Sequence, residues 1–109
     1  MKYLFEVTDQ RGYSVHCTVE DWYDHIVARH PWMEGTEAEV AEGVAKANWI
    51  YQDRLKENRN IYYHRRNSPP RYIKVVVDFD ENWVGSIVTA FPTDSPKPGE
   101  IWIWPQSSD

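Results

Sequence analysis

The sequence predicts an α+β domain in which N-terminal strands and two helices pack on an antiparallel β-sheet. Three observations predict this. Two loosely alternating stretches open the chain, two segments of helical period follow, and from residue 49 onward the period becomes that of strands. A chain of 109 residues fits one core and leaves no room for two. The expected division is a single α+β domain over 1–94 and a Pro/Trp-rich tail over 95–109.

Tyr3, Phe5 and Val7 alternate, a turn falls near Asp9-Gln10-Arg11-Gly12, and Tyr13, Val15 and Cys17 alternate again, which reads as a hairpin. Thr18 before Glu20-Asp21 has the character of an N-cap with acidic residues in the first turn. A helix from about Val19 to His30 aligns Trp22, Tyr23, Ile26, Val27 and His30, and Pro31 ends it. Thr36-Glu37-Ala38-Glu39 fits a capping box for a second helix that runs through Val40 and Val44 towards Asn48. Gly43 weakens that helix by about 1 kcal/mol relative to Ala and allows close packing.

Trp49–Tyr51 and Ile61–Arg65 are strand candidates, and Tyr72–Phe79, built around Val75-Val76-Val77, is the strongest. Asn67-Ser68-Pro69-Pro70 and Asp80-Glu81-Asn82 are turns, and Trp83–Phe91 returns as a further strand, so the last three form a meander. Ile101-Trp102-Ile103-Trp104 in the tail is either a sheet-edge strand or a segment that binds a protein partner.

Composition excludes several classes. Mean hydropathy is negative, and no apolar run approaches the roughly 18 residues of a spanning helix, so no membrane association is expected. The opening Met1-Lys2-Tyr3-Leu4-Phe5-Glu6 has no secretory-leader pattern, and a cytoplasmic location is expected. Cys17 is the single cysteine, which removes internal disulfides and thiolate clusters. His25 and His30 stand five apart, about 140° around a helix, so they do not form a two-histidine metal pair. No glycine-rich phosphate loop is present, and no metal or other cofactor is expected.

Net charge is −5, yet Arg54, Lys56, Arg59, Arg65, Arg66, Arg71 and Lys74 fall in one stretch opposed only by Glu57. The earlier half is acidic along its helices. This polarity fits either an anion-attracting face or a solvated strand edge protected by charge.

The string Trp22-Tyr23-Asp24-His25-Ile26-Val27-Ala28-Arg29-His30-Pro31 is followed in order by Glu39-Val40, Ile50-Tyr51-Gln52-Asp53 and Tyr62-Tyr63. Lys74-Val75-Val76-Val77, Gly85 and Val88-Thr89-Ala90-Phe91 complete the series. Over roughly residues 19 to 94 this resembles the phage-associated branch of the barnase–EndoU–colicin–RelE-like (BECR) nuclease superfamily. Asn48 stands where that family often has a proline, and the N-terminal strands and Trp-rich tail are additions.

The resemblance implies a BECR-like fold and a metal-independent endoribonuclease, toxin- or phage-derived, with RNA as partner. It makes His30 the acid or base, since the end of a helix favours the charged imidazolium. Lys74, or Arg65 as second choice, binds the phosphate; Thr89 bonds a phosphate oxygen; Tyr63 stacks on or orients the nucleotide. Each residue also has an ordinary structural use: His30 as a helix end packed by Ile26, Lys74 as an exposed strand cation, Thr89 as a strand former, Tyr63 as packing. His25 and His64 read as surface residues. The alternative function is a non-catalytic RNA- or protein-binding module of the immunity or antitoxin kind, favoured by the acidic helices and the tail.

Overall fold

The computed structural model describes residues 2–106. Its strands are β1 (Tyr3–Thr8), β2 (Ser14–Thr18), β3 (Trp49–Gln52), β4 (Arg59–Arg65), β5 (Tyr72–Phe79), β6 (Gly85–Thr93) and β7 (Ile101–Trp104), and α1 spans Glu37–Ala45. All seven strands join one sheet in the order β1-β2-β6-β5-β4-β3-β7. The fold is α+β. The sheet is mixed rather than purely antiparallel, because β2 pairs β6 in parallel through Val15↔Gly85 and His16↔Ser86.

β5 is the central strand of the meander and has the predicted bounds. Its odd positions, Ile73, Val75, Val77 and Phe79, enter the main core with Val40 and Val44 of α1. Its even positions Tyr72 and Val76 join Ile61 and Tyr63 in a second cluster on the opposite face. Both faces are thus partly apolar, which explains why the strand reads as a near-continuous hydrophobic run. Gly43 sits where α1 meets the sheet, and a Cβ there would lie 3.0 Å from Ile73 Cγ2. The glycine allows the close approach expected of it.

The predicted first helix is a helical segment over 19 to 29 whose middle, Asp21–Val27, is π-helical. Thr18 caps it as expected: the Asp21 amide donates to Thr18 Oγ1 at 3.0 Å. Trp22 and Ile26 are fully buried, whereas Tyr23, assigned to the same face, is exposed. Pro31–Met33 then forms a 3₁₀ turn. The capping box at Thr36 is not formed. Thr36 Oγ1 donates back to the Met33 carbonyl at 2.5 Å, and Glu39 turns away to meet Arg66 Nε at 2.8 Å. A buried-side cation outcompetes the local amide because both charges gain from the pairing.

The β1–β2 hairpin folds over the helix side of the sheet. Asp9, at its turn, accepts from the Arg11 and Tyr13 amides, the Arg11 guanidinium and the Tyr62 hydroxyl. Arg11 Nη2 also donates to Asn60 Oδ1 at 2.8 Å, and Gln10 Nε2 donates to the Ala47 carbonyl at 2.6 Å. These bonds tie the hairpin to β4 and to the end of α1. The Ile101–Trp104 segment is an edge strand, antiparallel to β3 with Tyr51 opposite Trp102. Among the described residues, no helix is long and apolar enough to cross a membrane.

Candidate functional site

Strand register lays out the face of the sheet opposite α1 as rows, since directly paired residues share a face. One row is Trp49–Tyr63–Lys74–Phe91, from β3 to β6. The next is Tyr51–Ile61–Val76–Thr89, and beyond it runs Arg59–Asp78–Ser86, which the parallel pairing extends to His16 of β2. On the other side of the first row, Tyr72 pairs Arg65 on one flank and Thr93 on the other. Lys74, Thr89, Tyr63 and Arg65 therefore lie on one face. His30 reaches the same face from outside the sheet, its ring 5.3 Å from Phe91 and 5.2 Å from Trp32.

Shared placement does not give these groups equal freedom. Lys74 Nζ lies 3.1 Å from Glu100 Oε2, and the two side chains are 11% and 6% exposed. Its charge is balanced within the protein. Tyr63 is fully buried, and its hydroxyl donates to Glu100 Oε1 at 2.5 Å and accepts from the Lys97 amide at 3.3 Å. Its ring meets Tyr51 and Tyr72 edge-on. Burial, then the Glu100 bond, raises the Tyr63 pKa well above the usual phenol value. Tyr63 therefore offers no open ring face for a nucleotide base, which corrects its assignment as a stacking residue. Arg65 is exposed, and its backbone amide donates to Asn48 Oδ1.

The cation-rich stretch is also not one basic face. Lys56 and Arg59 both pair Asp78, Arg66 pairs Glu39, and Lys74 pairs Glu100. Arg54, Arg65 and Arg71 have no carboxylate partner among the described residues; Arg65 and Arg71 flank the β4–β5 turn, and Arg54 stands at the opposite end of the strands, between β3 and β4.

An open concavity lies beside the π-helical segment, along β6. It has a volume of about 310 Å³ and is lined by Asp21, His25, Arg29, Asp78, Ser86, Ile87 and Val88. The wall is built by helical geometry: Trp22 and Ile26 anchor the inner side, which leaves His25 and Arg29 on the outer side above β6. Such π-helical stretches recur at functional sites. On the floor, Arg59 Nε donates to Asp78 Oδ1 at 2.7 Å, and this bond holds the Asp78 carboxyl below the usual carboxylate range. Ser86 Oγ lies 3.1 Å from His16 Nε2, and the His16 ring stacks on Tyr3 at 4.3 Å.

No pattern in the sequence singles out His16, Arg29, Ser86 or Glu100, and His25 reads there as a surface residue. His25 is exposed, with Asp21 Oδ1 3.8 Å away, so only its position on the groove wall marks it. Among the described residues, no three His, Cys, Asp or Glu side chains gather as metal ligands. Comparisons with protein-family models, with curated proteins and with solved structures give no match to this chain.

Proposed function

We propose that this protein is a metal-independent endoribonuclease-like domain, and that the scissile phosphodiester of RNA occupies the groove between the π-helical segment and strands β5 and β6. The observation that carries the reading is the placement of His25 and Arg29 together on the wall of one open groove, with His30 directly after the same helical segment and beside Phe91 of β6. The resemblance of the sequence to the BECR nucleases, over roughly residues 19 to 94, favours the same chemistry.

In that reaction the 2′-oxygen attacks phosphorus, the bond to the 5′-oxygen breaks, and the products are a 2′,3′-cyclic phosphate and a 5′-hydroxyl. One imidazole takes the 2′-hydroxyl proton, and a second, protonated imidazole gives a proton to the departing 5′-oxygen. We assign these two roles to His25 and His30. Arg29, which has no carboxylate partner among the described residues, answers the charge that develops on the phosphate oxygens. Lys74 is a weaker choice for that task because Glu100 already balances it. Thr89 remains a hydroxyl donor in the middle row, next to Val88 of the groove.

The pairing of Lys74 with Glu100 favours a second reading, a module that binds RNA without cutting it. End-labelled RNA incubated with purified protein in chelator separates the two. The first reading expects cyclic-phosphate ends, with His25→Ala and His30→Ala each slowing cleavage by about 10²–10⁴-fold. RNA that is retained but stays intact supports the binding module and removes the enzyme.

A further inference from the structure

Beneath the groove, the Arg59–Asp78–Ser86–His16 row forms two polar pairs side by side. Asp78 is turned towards β4: Oδ1 accepts from Arg59 Nε, and Oδ2 accepts from Arg59 Nη2 at 3.0 Å and Lys56 Nζ at 3.3 Å. Ser86, its neighbour across the ladder, bonds the other way, to His16.

The tautomer of His16 decides what Ser86 can do. His16 Nδ1 is buried and has no hydrogen-bond partner among the described residues. A proton on Nδ1 would bury an unpaired donor, whereas a proton on Nε2 leaves only an unpaired acceptor, the less costly defect. The favoured form therefore donates Nε2–H to Ser86 Oγ. With that acceptor position filled, the serine O–H is left as a free donor on the groove lining.

From this geometry we infer a phosphate-oxyanion subsite in which the Ser86 hydroxyl and the Arg29 guanidinium hold the anion and His16 positions Ser86 from behind. Of the carboxylates lining the groove, Asp78 is balanced by Arg59 and Lys56, while Asp21, 3.8 Å from His25, is offset only when that imidazole carries a proton. Tyr3, stacked on the imidazole at an interplanar angle of 9°, fixes the plane in which His16 presents its N–H. The subsite rests on the proposed groove chemistry for its biological use, though phosphate binding there stands apart from any cleavage.

The test is titration of the full chain with inorganic phosphate, followed by NMR at the Ser86 amide and the His16 ring. Saturable shifts at both are expected, with the dissociation constant raised about tenfold by Ser86→Ala and by Arg29→Ala, each the loss of one good charge-assisted contact. His16→Phe keeps the stack on Tyr3 and drops the donor, so it should weaken phosphate binding as Ser86→Ala does. His16→Gln, which restores an N–H near the Nε2 position, should recover part of the affinity. Arg29 is exposed, so its variant folds whatever the fate of the others. Absence of phosphate-dependent shifts at Ser86, or unchanged affinity in Ser86→Ala and Arg29→Ala, overturns the subsite. RNA left uncut while phosphate still binds overturns the enzyme reading alone.

Discussion

Asp9 accepts hydrogen bonds from two backbone amides, a guanidinium and a phenol, and its side chain is fully buried. Asp9→Ala would remove the counter-charge of Arg11, leaving it Asn60 and the Tyr62 oxygen, and would take away the acceptor of the Tyr62 hydroxyl. Removing one partner of a buried pair costs about 3–5 kcal/mol, and a urea-denaturation midpoint should fall accordingly. A loss below about 1 kcal/mol would mean that water satisfies those groups.

Cys17 is fully buried, and burial, with Asp21 adding to it, pushes its thiol pKa up to about 12. Only the thiolate reacts with alkylating agents. Iodoacetamide at neutral pH should therefore leave native protein unmodified and label it once on unfolding, a difference read by intact mass. Asp78 contributes to the pH dependence of stability. Its folded pKa is depressed chiefly by the Arg59 bond, so its contribution to stability is present above the unfolded carboxyl pKa and is lost as pH falls through the folded value. Asp78→Asn should flatten the decline of the urea midpoint between neutral pH and about pH 3, whereas an unchanged slope would place that decline in other carboxylates.

At the scale of elements, Gly85 decides whether β2 can lie beside β6. A Cβ there would come within 2.6 Å of Val77 Cγ1 and 3.2 Å of Val15 Cγ2. Gly85→Ala should cost about 1–3 kcal/mol of overpacking and broaden the amide signals of Val15 and His16. A fully stable variant would show that this junction yields easily. The junction also marks the limit of what the sequence showed. β5 was legible because Val75-Val76-Val77 with flanking turns admits little else, whereas the alternation of Ile101–Trp104 left the edge strand β7 as one of two readings. The β2–β6 pairing joins residues 70 apart, His16 and Ser86, and periodicity carries no information about which strands become neighbours. The cap at Thr18 was readable, while that at Thr36 failed because Arg66, 27 residues away from Glu39, claimed the acid.

The whole molecule reduces to a core wrapped between α1 and one face of the sheet, with a second face left for the site. Lys74 and Thr89 share a face through the β5–β6 register, and His30 comes to it beside Phe91, an arrangement the sequence left open. Their neighbours were no more legible. Glu100 returns over that face from a proline-bearing loop to take Lys74 and Tyr63, and no local pattern in β5 announces it. His25 and Arg29 gained their place only because the π-helical segment turns Trp22 and Ile26 into the core. The most direct measurement is cleavage of end-labelled RNA in chelator by the wild-type protein and by His25→Ala. The account predicts cyclic-phosphate products from the first and a loss of at least about 10²-fold in the second; equal cleavage by both, with the variant shown to be folded, would contradict it.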